Sequence, residues 1–397
     1  QKSAPAAPPN KGPDAAHAES GKKLFETLQC AACHNAPDST EVAANKVSLK
    51  QVRAKFAPDS LVDFLKQPEA HYAWIRMPRF NLSDEQRGQL AAYLISNGDK
   101  PAEVAAANNP EAIARGKALA QTSGCLNCHS LKLENQFSSK ALAQISDWKS
   151  GCLAEKAVAD SKAPVFGFNA DQRAALQAFA ATDRSSLTRH VPQEFAEREI
   201  RHLNCLNCHG QAEGVPHLEI LGGKLKPEWA TKFIAGDVAY KPRPWLEMQM
   251  PAFPKRAALL AEGMTMQHGL APTSTPEPAI NEPAAEIGRK LSGTDGGFSC
   301  LSCHGFAKVM PTQVFEAPGI NLAYSADRLQ PAYFLRWLRN PIRVESTSKM
   351  PVFFDDEGKS PLGDILEGNA DKQIDAMWHY VRKGDKMPPP PGAPEPQ

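Results

Sequence analysis

The sequence predicts an all-α chain made of four tandem helical domains. Three observations carry this prediction. A Cys-x-x-Cys-His run occurs four times, as CAACH (30–34), CLNCH (125–129), CLNCH (205–209) and CLSCH (300–304). A segment of helical character precedes each run. After each come a loop, an aromatic-bearing amphipathic segment and a closing helix, so the whole unit repeats. The 397 residues allow two to four domains, and a hydrophobic content of 42% is enough to fill their cores.

The opening helices read AESGKKLFETLQ, PEAIARGKALAQ, PQEFAEREIRHL and AAEIGRKLSG. Gly21, Gly116 and Gly288 lie inside three of them, where glycine costs helix stability unless it permits a close crossing. The closing helices include SDEQRGQLAAYLISNG, NADQRAALQAFAAT and DKQIDAMWHYVRKG. Leu90, Tyr93 and Leu94 share one face of the first, and Ile374, Met377, Trp378 and Val381 share one face of the last. Pro- and Ala-rich stretches punctuate the chain at both ends, around residues 270–285, and more weakly at 100–110.

Eight of the nine cysteines belong to the four runs. Cys-x-x-Cys-His is the attachment signal for c-type haem. Two thiols at this spacing add to the two vinyl groups on one porphyrin edge, and the adjacent histidine then lies under the iron. Zinc, a thioredoxin-like pair and disulfides are the alternatives. Zinc needs two Cys-x-x-Cys pairs per site at a fixed spacing, which the chain does not supply, and a histidine follows every pair. The reading is four covalent haem c groups, attached through Cys30 and Cys33, Cys125 and Cys128, Cys205 and Cys208, and Cys300 and Cys303, with His34, His129, His209 and His304 as proximal ligands.

These runs, with a downstream Met-Pro, resemble class I c-type cytochromes, here four in tandem as a tetrahaem cytochrome c. The resemblance implies small all-α domains, each wrapped around one covalent haem. It places domain 1 at 18–104, domain 2 at 109–188, domain 3 at 192–270 and domain 4 at 284–387. A Pro/Ala-rich tail (1–17), a Pro-rich linker (271–283) and a flexible or extended C-terminal tail (388–397) complete the chain. Such domains usually complete the iron with a methionine thioether, a soft ligand that raises the potential. Met77 in RMPRF lies 43 residues after His34, Met250 in QMPAF 41 after His209, and Met350 in KMPVF 46 after His304. Met248 lacks the following proline, and Met310 stands too close to His304.

Domain 2 breaks the pattern. SKAPVFGFNADQRAAL (161–176) parallels IRMPRFNLSDEQRGQL (75–90), but Ala163 stands where the first copy has Met77. No methionine occurs between His129 and Cys205, and the cysteine-to-cysteine steps of 95, 80 and 95 residues show a shortened segment. Three readings stay open. Another side chain coordinates, the candidates being Cys152, His190, His202 and Lys162, with Lys149 and Lys156 also in range. Alternatively the site is open to an external ligand. In the third reading the haem is a relay, and Cys152 is simply a buried apolar residue.

A formal charge of +1 argues against a nucleic-acid binder, and bound haem propionates would make the protein more acidic. No apolar run reaches the roughly 20 residues of a membrane helix. The start at Gln1 fits a processed, exported chain on the periplasmic side of a bacterial membrane. The expected function is electron transfer between a donor dehydrogenase and an acceptor cytochrome or oxidase, alone or as a subunit of a larger redox complex. The alternative is a haem enzyme at domain 2, on a thinner resemblance to thiosulfate-oxidising cytochromes and dihaem peroxidases. The Arg336, Arg339 and Arg343 run is either a solvated helix face or a partner for haem propionates.

Overall fold

The computed structural model describes residues 15–70, 72–100, 109–140, 144, 146, 154, 166–210, 212–313 and 319–394. The chain is helix-rich. In order, its longer helices are α1 (Ala15–Thr27), α2 (Pro58–Lys66), α3 (Asp84–Asn97), α4 (Pro110–Thr122), α5 (Ala170–Ala180), α6 (Pro192–His202), α7 (Pro227–Ala235), α8 (Ala257–Gln267), α9 (Glu282–Ser292), α10 (Pro331–Arg339) and α11 (Ala370–Val381). The described β structure is slight: a two-residue parallel pairing of His34–Asn35 with Val47–Ser48, and four isolated bridges.

Local sequence sets the helix ends. Ser83 and Asn169 each accept from the backbone N–H three residues on, while Gln86 and Gln172 reach back to the cap N–H. These two capping boxes satisfy donors that an open helix end would leave orphaned. Arg87 and Arg173 then donate to the carbonyls of Leu82 and Phe168. The parallel between 75–90 and 161–176 is therefore structural from Phe166 onward, while Ala163 lies outside the described residues. Proline opens α2, α7 and α10, where its missing N–H costs nothing.

The chain divides into two units. Residues 1–101 and 191–397 form one, and residues 102–190 form the other. The larger unit contains three hydrophobic cores, spanning residues 25–95, 196–264 and 285–387. Each core is built where an opening helix packs on a closing helix: α1 on α3, α6 on α8, and α9 on α11. Glycine makes each crossing close. A Cβ on Gly21 would overlap the carbonyl oxygen of Gln89, and one on Gly288 that of Ala376. The α6–α8 crossing places its glycine on the closing helix instead, where Gly263 abuts Pro192 and Ala196. Gly116 meets nothing within 4 Å, so its expected crossing is not formed.

The three cores are tied together by backbone and charge. Arg79 and Ala252 exchange both backbone hydrogen bonds, at 3.0 and 2.7 Å. Arg256, only 5% exposed, donates to Glu199 at 2.6 Å and to the carbonyls of Trp74 and Ile75 at 2.6 and 2.9 Å. On the other side, Lys226 N–H donates to Arg328 and Gln330 N–H to Lys224, both at 2.9 Å. The 271–283 linker is a strap as well as a spacer. Glu277 accepts from Lys226 at 2.8 Å and from Trp378 at 2.6 Å, so it binds the 196–264 core to the 285–387 core.

The start of the C-terminal segment, expected from its composition to be flexible or extended, is held in place by hydrogen bonds to its carbonyls. Tyr380 donates to the carbonyl of Pro388 at 2.6 Å, Arg289 to that of Pro389 at 2.9 Å, and Thr294 N–H to that of Pro391 at 3.0 Å. Proline carbonyls accept hydrogen bonds like any others, so a Pro-rich stretch packs well wherever donors face it.

Among its described residues the smaller unit has its motif turn and the two longer helices α4 and α5. No residue of α4 is buried, and Ile113 and Leu119 are exposed, as are Phe166 and Phe179 beside or on α5. Asn127 organises the turn, donating to the carbonyl of Phe137 and accepting from Asn135, both at 2.9 Å.

Candidate functional site

All four Cys-x-x-Cys-His runs adopt one local geometry. The residue before each first cysteine is left-handed: Gln29 at φ 57°, Gly124 at 80°, Asn204 at 61° and Ser299 at 58°. A non-glycine residue pays strain there, and asparagine tolerates it best. One tight turn follows. The second cysteine N–H returns to the first cysteine carbonyl at 3.1–3.2 Å in all four. The histidine N–H returns to the same carbonyl at 2.9 Å in the 125, 205 and 300 runs. Both thiols and the imidazole thus leave one compact turn, which is what attachment to one porphyrin edge requires.

The second observation concerns the histidine rings. Nδ1 of His34 faces the carbonyl of Val47 at 3.3 Å, that of His209 faces Pro216 at 2.9 Å, and that of His304 faces Ile320 at 2.8 Å. A carbonyl only accepts, so Nδ1 carries the proton and Nε2 keeps its lone pair for a metal. Burial holds all three rings below their usual pKa, which keeps them neutral. Burial also pushes the first thiol of each of these runs up, Cys30 and Cys300 to about 12 and Cys205 to about 11. In the smaller unit Cys125, Cys128 and His129 are exposed.

The residues present therefore fit a covalently held haem at the 30, 205 and 300 runs. They offer two thiols, an oriented neutral imidazole and apolar packing. Met77 and Met350 are part-buried, and Met250 is 36% exposed. Met350 Sδ lies 3.0 Å from Trp337 Nε1, so an indole N–H holds that loop in place. Met310 is 72% exposed. Of the other candidates, His190 belongs to the smaller unit and His202 ends α6 in the larger one. Both are exposed. Cys152 and Lys162 lie outside the described residues, as do Lys149 and Lys156.

Two cation assignments shift. Arg339 is hydrogen-bonded to Asp371 at 2.9 Å, and Arg343 to Asp356 at 3.2 Å, so both already have carboxylate partners. Lys224, Arg243 and Arg328, which composition alone does not single out, are at least partly buried and have no ion-pair partner among the described residues. Two of the three carried a signal in the repeat: Lys224 and Arg328, like Lys55, stand three residues before the proline that opens a helix (α7, α10 and α2 respectively). A further contact unites two runs. Asn204 and Asn207 both donate to the Ala32 carbonyl at 3.1 Å, setting the turn at 205 against the turn at 30.

Comparison with known proteins gives one family match. Residues 16–94 match the model described as "Cytochrome C oxidase, cbb3-type, subunit III". No curated protein and no solved structure matches the chain. The matched segment contains most of α1, the 30–34 run, Met77 and most of α3. It is a cytochrome c-type domain, which implies covalent haem c and electron transfer.

Proposed function

We propose that the chain is an exported tetrahaem c-type cytochrome that passes single electrons from a dehydrogenase or other donor to a cytochrome or oxidase, either alone or as the electron-transfer subunit of a redox complex. The carrying observation is the recurrence of one left-handed turn geometry at all four Cys-x-x-Cys-His runs. The family match at the first of them adds support. When bound, each haem supplies one-electron exchange at its iron. The protein supplies the rest. Paired cysteines fix the edge of the group, and His34, His129, His209 and His304 offer Nε2. Met77, Met250 and Met350 complete three irons with a thioether that favours the ferrous state. Within the larger unit the carriers follow the order His34, His209, His304, because the 196–264 segment is joined to both others.

The test is a haem count with a reductive titration. Four haems per chain and uptake of four electrons are expected. Fewer haems than runs would reject the tetrahaem reading.

One observation favours a second reading for the His129 centre. Its cysteines and histidine are exposed, and its loop lacks the methionine. An open centre of this kind would suit a thiosulfate-oxidising or peroxidase-like reaction. Carbon monoxide and cyanide should then change the spectrum of one haem in four. Low-spin ferric signals unmoved by either ligand would instead support coordination by Cys152, His190, His202 or Lys162.

A further inference from the structure

A cluster of cations without ion-pair partners among the described residues lies where the His209 and His304 segments meet. The arrangement is reciprocal. Lys224 of the first segment reaches over two rings of α10, lying 5.0 Å from the centre of Tyr333 and 5.6 Å from that of Trp337. Arg328 of the second reaches back over Trp229 of α7 at 6.0 Å. The bridge between Leu225 and Leu329 holds both cations by their backbones, since Lys224 and Arg328 supply its accepting carbonyls. Tyr240 stacks on Tyr324 across the same seam, with centroids 3.8 Å apart. Arg243 completes the group, its charge acting on Lys224, Arg328 and Tyr333.

These groups lack partners. Arg328 is 5% exposed with its Nε unbonded, and Tyr333 is 2% exposed with its hydroxyl unbonded. The described ion pairs nearby use Lys226, Arg339, Arg343 and Arg382 instead. Glu345 acts on Lys224 and Arg243 through space, without an ion pair among the described residues. Burial, together with repulsion from Arg328 and Arg243, pushes Lys224 down to about 7. A buried guanidinium left uncompensated costs several kcal/mol. The site therefore calls for anions, and guanidinium groups with a tyrosine hydroxyl fit planar carboxylates.

The anions are identified by what flanks the cluster. Pro216 and Ile320, whose carbonyls orient the His209 and His304 rings, stand eight residues before Lys224 and Arg328 respectively. Trp337, under Lys224, also touches Met350. Taking haem attachment at both runs as given, we propose that Lys224, Arg243, Arg328 and Tyr333 form one carboxylate pocket shared by the two segments, binding a propionate from the His209 haem and one from the His304 haem. Each segment would thus share its cations with its neighbour's haem. A change of oxidation state at either iron would then be felt at the other.

The test uses the haem-loaded full chain, with the two potentials followed separately by NMR. In Arg328→Gln and, independently, in Lys224→Met, both midpoint potentials are expected to fall, because a lost positive charge favours the ferric state. The propionate bending bands in the resonance Raman spectrum should shift together, and Arg328→Lys should restore most of the potential. Movement of one haem alone, or of neither, would overturn a shared pocket. Chloride or phosphate added to the unaltered protein should leave the potentials unchanged, and a dose-dependent shift would instead identify a free anion as the occupant. Peptide masses lacking haem at the 205 or 300 run would overturn the underlying carrier reading, an outcome distinct from unmoved potentials in a loaded protein.

Discussion

At the scale of single residues, function rests on a few oriented donors and acceptors. The carbonyls that face Nδ1 of His34, His209 and His304 fix which ring nitrogen is free, and burial keeps the rings neutral. Burial lowers the folded-state pKa of all three from 6.5, while the unfolded chain still takes up protons there. Stability is therefore fully present above that value and is lost as pH falls below it. Metal ligation of Nε2 has the same sign, so the urea midpoint of the protein should drop between about pH 7 and about pH 5. If Met350 completes an iron as proposed, Met350→His exchanges a soft thioether for imidazole and should lower the potential of that haem, as read by spectroelectrochemistry. Arg256 is a different kind of residue. It joins Glu199 to the loop that carries Met77, so Arg256→Met leaves a largely buried carboxylate unpaired. The expected loss is about 3–5 kcal/mol of stability in denaturant titration, with faster proteolysis of the 72–80 loop.

At the scale of elements, the repeat in the sequence is a repeat of helix crossings. Gly288→Ala drives a methyl into the backbone of α11 and should cost about 1–3 kcal/mol by urea unfolding. Gly116→Ala meets open space and should be neutral or gain up to about 1 kcal/mol from helix propensity. This contrast also shows what was legible beforehand. The glycines of α1 and α9 were readable because apolar residues recur around them at helical spacing. The α6–α8 crossing was not, because its glycine lies on the partner helix, within AALLAEGMTMQ, which is apolar nearly all round and so shows no contrasting face. The capping boxes at Ser83 and Asn169 were visible as a shared acidic-Gln-Arg pattern. The left-handed residue before each motif was hidden, because Gln, Gly, Asn and Ser share no side-chain chemistry. What they share is a backbone conformation.

At the scale of the whole molecule, chain order and spatial grouping differ. The sequence gives the four motifs in a line, with 102–190 between the first and third. The structure joins 15–100 to 191–394 and treats 102–190 as a unit of its own. The ties that do this are backbone pairs at Arg79–Ala252 and Leu225–Leu329, which no periodicity announces because they need only extended backbone. The motifs and their histidines were legible from spacing alone, since covalent chemistry fixes that spacing. The cation cluster was not, because its members are far apart in sequence and meet only across a seam between segments. The central claim is that one chain holds four covalent haems, three of them with a methionine partner. Intact-mass spectrometry of the protein, produced with the cytochrome c maturation machinery, tests it most directly. The account predicts a mass exceeding that of the polypeptide by four haem groups, each mapped to one Cys-x-x-Cys-His peptide. An excess of one haem, confined to residues 30–34, would contradict it.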